Sequence, residues 1–300
     1  MAKKKEIQLN LFEPGMAAII PAKDQQDLMT YPFFSLSKRK RTTAIEYDDG
    51  RVKVTITGQE EYGIANIYDA DVLIYVASQI MAAKNRGLET SRRIKMSQYD
   101  ILEFLGKGTG GEQYRRLKES LERLQTTSVK TTIKRENSRI KERVGFSWIN
   151  DWKTVEENGR LVAIELELNE WLYDGIIAGK VLTLPRKYFR IESGLERFLF
   201  KLCRKIVGST NQGQLQMKLS TVHERSGITR KPGAFRKMIE KIVNEQAIPD
   251  YWVLLTQRTS TQDWYVCAFS RKRFSTAKEA LQNVTFVALD QKLIDTGKGT

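Results

Sequence analysis

Two short runs of cations sit where they could read or grip a polyanion. Arg115, Arg116 and Lys118 lie off an apolar stripe of Tyr114, Leu117, Leu121 and Leu124, near the start of the helix that this spacing predicts. Arg230, Lys231, Arg236, Lys237 and Lys241 stand in the same way around Phe235, Met238, Ile239, Ile242 and Val243. Cationic side chains in the first turns of a helix are those that meet base edges and phosphates when the helix enters a DNA groove. A solvated face of mixed charge would look alike in one helix, because Glu112, Glu119, Glu122 and Glu240 are interspersed. Two such helices in matched settings favour DNA. Between two predicted strands lie Lys130, Lys134, Arg135, Arg139, Lys141 and Arg143, against only Glu136 and Glu142. A hairpin of that charge is suited to lie along phosphates. Lys38-Arg39-Lys40-Arg41 is a further basic run, for which an arm, a solvated loop and a DNA contact are equal readings.

Catalytic chemistry finds little support. His223 is the sole histidine, too little for a metal cluster, and no grouped carboxylates suggest a two-metal nuclease. No catalytic residue, cofactor or metal is expected, and the chain is read as no enzyme. Cys203 falls in a helical pattern and Cys267 in a strand pattern, which suits buried thiols in a reducing cytoplasm rather than a disulfide framework. Trp148, Trp152 and Trp171 read as core. Gly106 to Gly111 lacks the Lys-Ser/Thr ending of a nucleotide-phosphate loop and reads as a turn between helices. The net charge of +14 over 300 residues points to nucleic acid or an anionic membrane as partner. No run is apolar enough to span a membrane.

The elements that must carry these residues occur twice in the same order. In the first half, a helix over 69–84 capped by Asp69 is followed by a strand, Arg93 to Ser97. A short helix, Tyr99 to Leu105, the glycine turn, the cationic helix and strands at 129–133 and 144–149 come next. In the second half, a helix over 195–206 precedes a strand, Leu215 to Ser220, a short helix to Gly227, the second cationic helix and strands at 252–256 and 264–269. Ile94–Ser97 matches Met217–Ser220, Gly106 matches Gly227, and Tyr114–Leu117 matches Phe235–Met238. A hairpin precedes both units at 43–57, turning at Asp48-Asp49-Gly50. Helix, strand, helix, turn, helix, hairpin is the order of a winged helix. The expected fold is therefore α+β, two tandem winged-helix domains with a flexible N-terminal arm. Residues 1–30 form the arm, 31–165 the first domain, 166–280 the second and 281–300 a polar tail.

Four stretches together carry a family resemblance. They are Tyr31-Pro-Phe-Phe-Ser-Leu-Ser-Lys-Arg-Lys-Arg, Gly63-Ile-Ala-Asn-Ile-Tyr-Asp-Ala-Asp-Val-Leu-Ile-Tyr, Tyr99-Asp-Ile-Leu and Thr109-Gly-Gly-Glu-Gln-Tyr-Arg-Arg-Leu. In this order they resemble the replication initiator protein A family of bacterial plasmids, over roughly residues 8–275. The resemblance implies a cytoplasmic initiator that binds repeated origin sequences in double-stranded DNA, helps open the duplex and recruits host replication proteins, helicase loaders among them. Many plasmid initiators also repress their own gene as homodimers. In the arm, Gln8-Leu9-Asn10-Leu11-Phe12 looks like the pentapeptide by which bacterial proteins dock onto the sliding clamp, with Gln8 as hydrogen-bonding anchor and Leu9, Leu11 and Phe12 as contacts. An apolar patch folding back onto the body is the equal alternative. A winged-helix transcriptional repressor without a replication role is the competing function, and fold alone does not separate the two.

Overall fold

Hydrophobic alternation places the first helix pattern and the hairpin before it in one core, and a computed structural model shows how they meet. The structure describes residues 20–133, 143–157, 160–208 and 213–284. Strand β1 (Ala22–Gln25) opens it, followed by the hairpin β2 (Ile45–Asp48) and β3 (Lys53–Thr57). Gly50 turns that hairpin at φ +81°, and the Asp48 and Asp49 carboxylates accept from the turn's own amides, as a turn rather than a metal site requires. Next come α1 (Ala70–Asn85), β4 (Arg93–Met96), α2 (Gln98–Phe104) and α3 (Gly111–Thr126). The strands β5 (Ser128–Thr131), β6 (Val144–Ser147), β7 (Ile149–Glu157) and β8 (Arg160–Leu168) complete the first half. Helix α4 (Glu170–Ile177), β9 (Val181–Leu184) and a 3-10 turn (Arg186–Arg190) link it to the second. There, α5 (Gly194–Val207), β10 (Gln214–Lys218), α6 (Leu219–Ser226), α7 (Pro232–Glu245), β11 (Tyr251–Gln257), β12 (Trp264–Ser270) and α8 (Ala277–Gln282) follow.

The two halves repeat one topology. Helices α1, α2 and α3 stand with a sheet ordered β4-β8-β7, and helices α5, α6 and α7 with a sheet ordered β10-β12-β11. In each, the strand after the first helix lies beside the last strand, and all pairings are antiparallel. Gly106 and Gly227 close the short second helices in the left-handed region, both at φ +64°. These glycines correct one of the expected residue matches, and burial corrects another. Ser97 and Lys218 occupy the N-cap positions, each the same distance before its glycine, so Ile94–Ser97 and Met217–Ser220 are two residues out of register. Burial sets the third helices: Leu117, Leu121 and Leu124 recur with the spacing of Phe235, Ile239 and Ile242. Leu117 therefore corresponds to Phe235, and Tyr114 does not. Helix α3 begins about one turn earlier, relative to its buried stripe, than α7 does.

Strands β5 and β6 are an insertion in this scheme. They pair with β3 and extend the first hairpin into a sheet ordered β2-β3-β5-β6. The expected single strand over 144–149 breaks at Trp148, which is fully buried, and the chain crosses there to the other sheet. The hairpin that closes the first unit is thus β7–β8, and not the cation-rich one at 130–143. The expected division between 165 and 166 falls inside β8, and that at 280 inside α8.

The expected arm is also shorter than thirty residues. β1 pairs with β9, and Ala22, Leu28 and Met29 are buried with them. Helix α1 is buried on nearly every face, from Ala70 through Ile80, because β1, α2 and α4 pack around it. Trp148 and Trp171 lie in the core and Trp152 packs against it. Both cysteines are free and buried, and burial pushes the Cys267 thiol up to about 12. Among the described residues, no helix is long and apolar enough to cross a membrane, and no three His, Cys, Asp or Glu side chains are grouped to hold a metal ion.

Candidate nucleic-acid interface

The buried stripe of α3 leaves its other side to solvent, and Arg115, Arg116 and Lys118 stand there, all exposed. Arg115 bonds Glu112 at 2.7 Å and also pairs with Glu119, while Arg116 bonds Glu112 at 2.9 Å. The two guanidiniums hold the Glu112 carboxyl below its ordinary range. Such pairs are exposed and salt-screened, so an anion of higher charge can displace them. Lys118 has no ionic partner among the described residues. The back of α3 is anchored through Asp69. Expected as the cap of α1, Asp69 has helical backbone angles and makes no cap bond. Its carboxylate instead accepts from Arg123 at 2.8 Å and from the Ser120 hydroxyl at 2.7 Å, which fastens α3 to the start of α1.

Helix α7 starts at Pro232, where the ring costs no hydrogen bond. Arg230 and Lys231 flank that start and Lys237 follows on the outer face; all three are exposed and without an ionic partner among the described residues. Lys241 pairs with Glu245 at 3.6 Å. Arg236 is differently placed. Its guanidinium lies 3.6 Å from the centroid of the Trp264 ring, at the start of β12, and its Nε donates to Glu240 at 2.7 Å. A planar guanidinium clamped between an indole and a carboxylate is held in one orientation. The hairpin β11–β12 is thereby coupled to the helix. Lys218, bonded to Asp263 at 2.8 Å, couples it to the start of α6. His223 stacks on Phe235 at 4.3 Å, an apolar contact beneath the same helix.

The two hairpins of the first half differ in charge. On β5, Lys130 is exposed, and Arg143 precedes β6 in the same state. Lys134, Arg135, Arg139 and Lys141 lie outside the described residues, as do Gln8, Leu9, Leu11 and Phe12. The β7–β8 sheet is instead a neutralised network. Arg93 bonds Asp151 at 2.9 Å, Glu165 at 3.3 Å and Glu167 at 2.5 Å, and Lys153 reaches Glu165 at 3.2 Å. Three carboxylates around it raise the Arg93 pKa above its ordinary value, so that face offers no net cation to a polyanion. Sequence reasoning assigned the cationic loop to the closing hairpin because it follows α3 directly. The strand pairing that moves it elsewhere is non-local.

The halves are held together by buried charge. Arg197 of α5 donates to Asp71 of α1 at 2.8 and 2.9 Å and to the carbonyls of Ile191 and Phe189. Lys201 of the same helix meets Asp24 of β1 at 2.9 Å. Burial works against the Lys201 ammonium, but Asp24, with Tyr188 and Asp71, more than offsets it and holds the Lys201 pKa above its ordinary value. Near α7, Arg41 donates to the Gly227 carbonyl at 2.6 Å. These contacts join α1 and β1 to α5, and the basic run to the end of α6, and sequence patterning carried no sign of them.

Comparison with known proteins identifies relatives in sequence and in fold. The profile of the replication initiator protein A family matches residues 23–253. A putative replication protein of Wigglesworthia glossinidia brevipalpis is 30% identical over 227 residues, covering 74% of this chain and 81% of that protein. A crystal structure of domains 2 and 3 of RctB aligns with a TM-score of 0.57 at 12% identity, covering 81% of this chain and 97% of the other. A second structure of RctB domains 2–3 aligns at 0.50 and 12%, covering 83% and 97%. At that identity the likeness is one of fold.

Proposed function

The chain belongs to the replication initiator protein A family, and from that premise we propose that it binds repeated origin sequences in double-stranded DNA through two winged-helix units. The observation that carries the reading is the repeat of one topology with its third helix exposed and cationic both times: Arg115, Arg116 and Lys118 on α3, and Arg230, Lys231, Arg236, Lys237 and Lys241 on and before α7. The third helix of such a unit is the one that enters the major groove, its N-terminal residues towards the bases. Lys130 on β5 adds a phosphate contact, as do Lys134, Arg135 and Arg139 in the sequence that follows it. In this reading the protein works without catalysis of its own, in the cytoplasm. Bound to its repeats, it strains adjacent duplex towards opening and recruits host proteins, the sliding clamp through Gln8, Leu9, Leu11 and Phe12.

A plasmid carrying this gene and its upstream repeats, with no other origin, tests the role. Stable maintenance in a suitable host is expected, and loss of the plasmid in every host while the protein still binds the repeats would leave the repressor reading instead. The clamp contact has its own test. Leu11→Ala with Phe12→Ala is expected to abolish pull-down of the clamp while leaving DNA affinity intact; unaltered pull-down would remove the assignment.

A further inference from the structure

The basic run Lys38-Arg39-Lys40 lies on the wall of a cleft of about 800 Å³ that also takes in Lys107, Arg116 and Arg197. Lys38, Arg39 and Lys40 are exposed and have no carboxylate partner among the described residues. Four carboxylates also line the cleft. Asp69 is taken by Arg123 and Glu119 by Arg115, which leaves Glu61 and Glu192 against the three cations of the run. Cations therefore prevail on this wall.

The run is not a loose loop. The Arg39 amide donates to Ser37 Oγ at 3.0 Å, and the Arg41 carbonyl accepts from Ile64 at 2.7 Å. The Lys38 ammonium sits 4.9 Å from the centroid of the Tyr68 ring. Gly63, at φ +75°, backs onto the run so closely that a Cβ there would meet Lys40 Cγ at 2.7 Å and the Arg41 carbonyl at 2.9 Å. Arg41 then ties the run to Gly227, in the turn before α7. The cleft thus touches α3 at Arg116, and Arg41, next in the chain, reaches the end of α6 at Gly227, ahead of α7.

We propose that this cleft is a second phosphate-binding surface, and that Lys38, Arg39 and Lys40 grip the backbone of the duplex between the two reading helices. The inference rests on the DNA-binding reading above. A duplex that engages both helices must pass a backbone between them, and the run stands in the cleft beside α3 and is tied through Arg41 to the turn before α7. Contacts of this kind position the protein and carry no sequence preference.

The test uses the full chain and two duplexes, one carrying an upstream repeat and one of scrambled sequence. Affinity is measured by anisotropy across a salt series. The triple variant Lys38→Gln, Arg39→Gln, Lys40→Gln is expected to flatten the log–log salt slope by about 2 to 3, near 0.9 for each phosphate left without its cation. The ratio of affinities for the two duplexes should stay unchanged. Arg39→Gln alone, whose head contacts no described residue, should remove about one such increment and serves if the triple variant unfolds. Lys231→Gln with Lys237→Gln separates the two proposals. If that pair flattens the slope and the run does not, the cleft assignment is overturned and the helix assignment stands. If the wild-type chain binds neither duplex, both fall.

Discussion

Lys237 and Arg236 are neighbours in sequence with opposite situations. Lys237 is free to reach an anion, whereas Arg236 is clamped between Trp264 and Glu240. Lys237→Ala is therefore expected to weaken binding to all duplexes alike and to flatten the salt slope by about 0.9, read from a salt titration. Arg236→Ala should relax discrimination between sites instead, as the loss of an oriented fork does. Gly194 illustrates a residue chosen by space. A Cβ there would fall on the Leu36 carbonyl oxygen, backbone against backbone, so no rotamer relieves it. Gly194→Ala is expected to cost about 1–3 kcal/mol or more, visible as a lower urea midpoint at unchanged m. The cationic residues were legible from their placement on amphipathic helices. Their pairing states were not, since Trp264 meets Arg236 from a strand that follows it by more than twenty residues.

At the scale of elements, the hairpins decide what each unit can grip. In the second unit, β11–β12 buttresses α7 through Trp264; if α7 reads DNA as proposed, Trp264→Leu is expected to lower affinity for the specific site about tenfold with an unchanged salt slope. A mobility-shift series against specific and scrambled duplexes would read this, and an equal loss on both would refute the coupling. In the first unit, the cations Arg93 and Lys153 of the β4-β8-β7 sheet are paired with carboxylates, whereas Lys130 on β5 and Arg143 before β6 are exposed. Alternation revealed strands at 129–133 and near 144–149, yet not their partners. Pairing with β3 depends on a register between segments some seventy residues apart, which local periodicity does not encode.

At the scale of the molecule, α1 and α5, the first helices of the two units, are joined by Asp71 and Arg197, which are almost wholly buried. Arg197→Met leaves Asp71 as a buried charge whose remaining ion pair among the described residues is the long one to Lys107, at 3.7 Å. It is expected to destabilise the fold by about 3–5 kcal/mol, whereas pairing it with Asp71→Leu should restore most of the loss, because two matched apolar groups carry no desolvation penalty. Denaturant unfolding of the two variants checks both halves of that statement. The sequence by itself determined the repeated helix–strand–helix–turn–helix order, the matching glycines at 106 and 227 and the positions of the two cationic helices. Each follows from periodicity, turn chemistry or charge within a few residues. Only the tertiary structure decided that β1 belongs to the core, that β7–β8 closes the first unit, that Asp69 holds α3 and that the run at 38–40 lines a cleft beside it. Those facts rest on non-local contacts, whose strength comes from burial and from partners that the chain brings together only when folded.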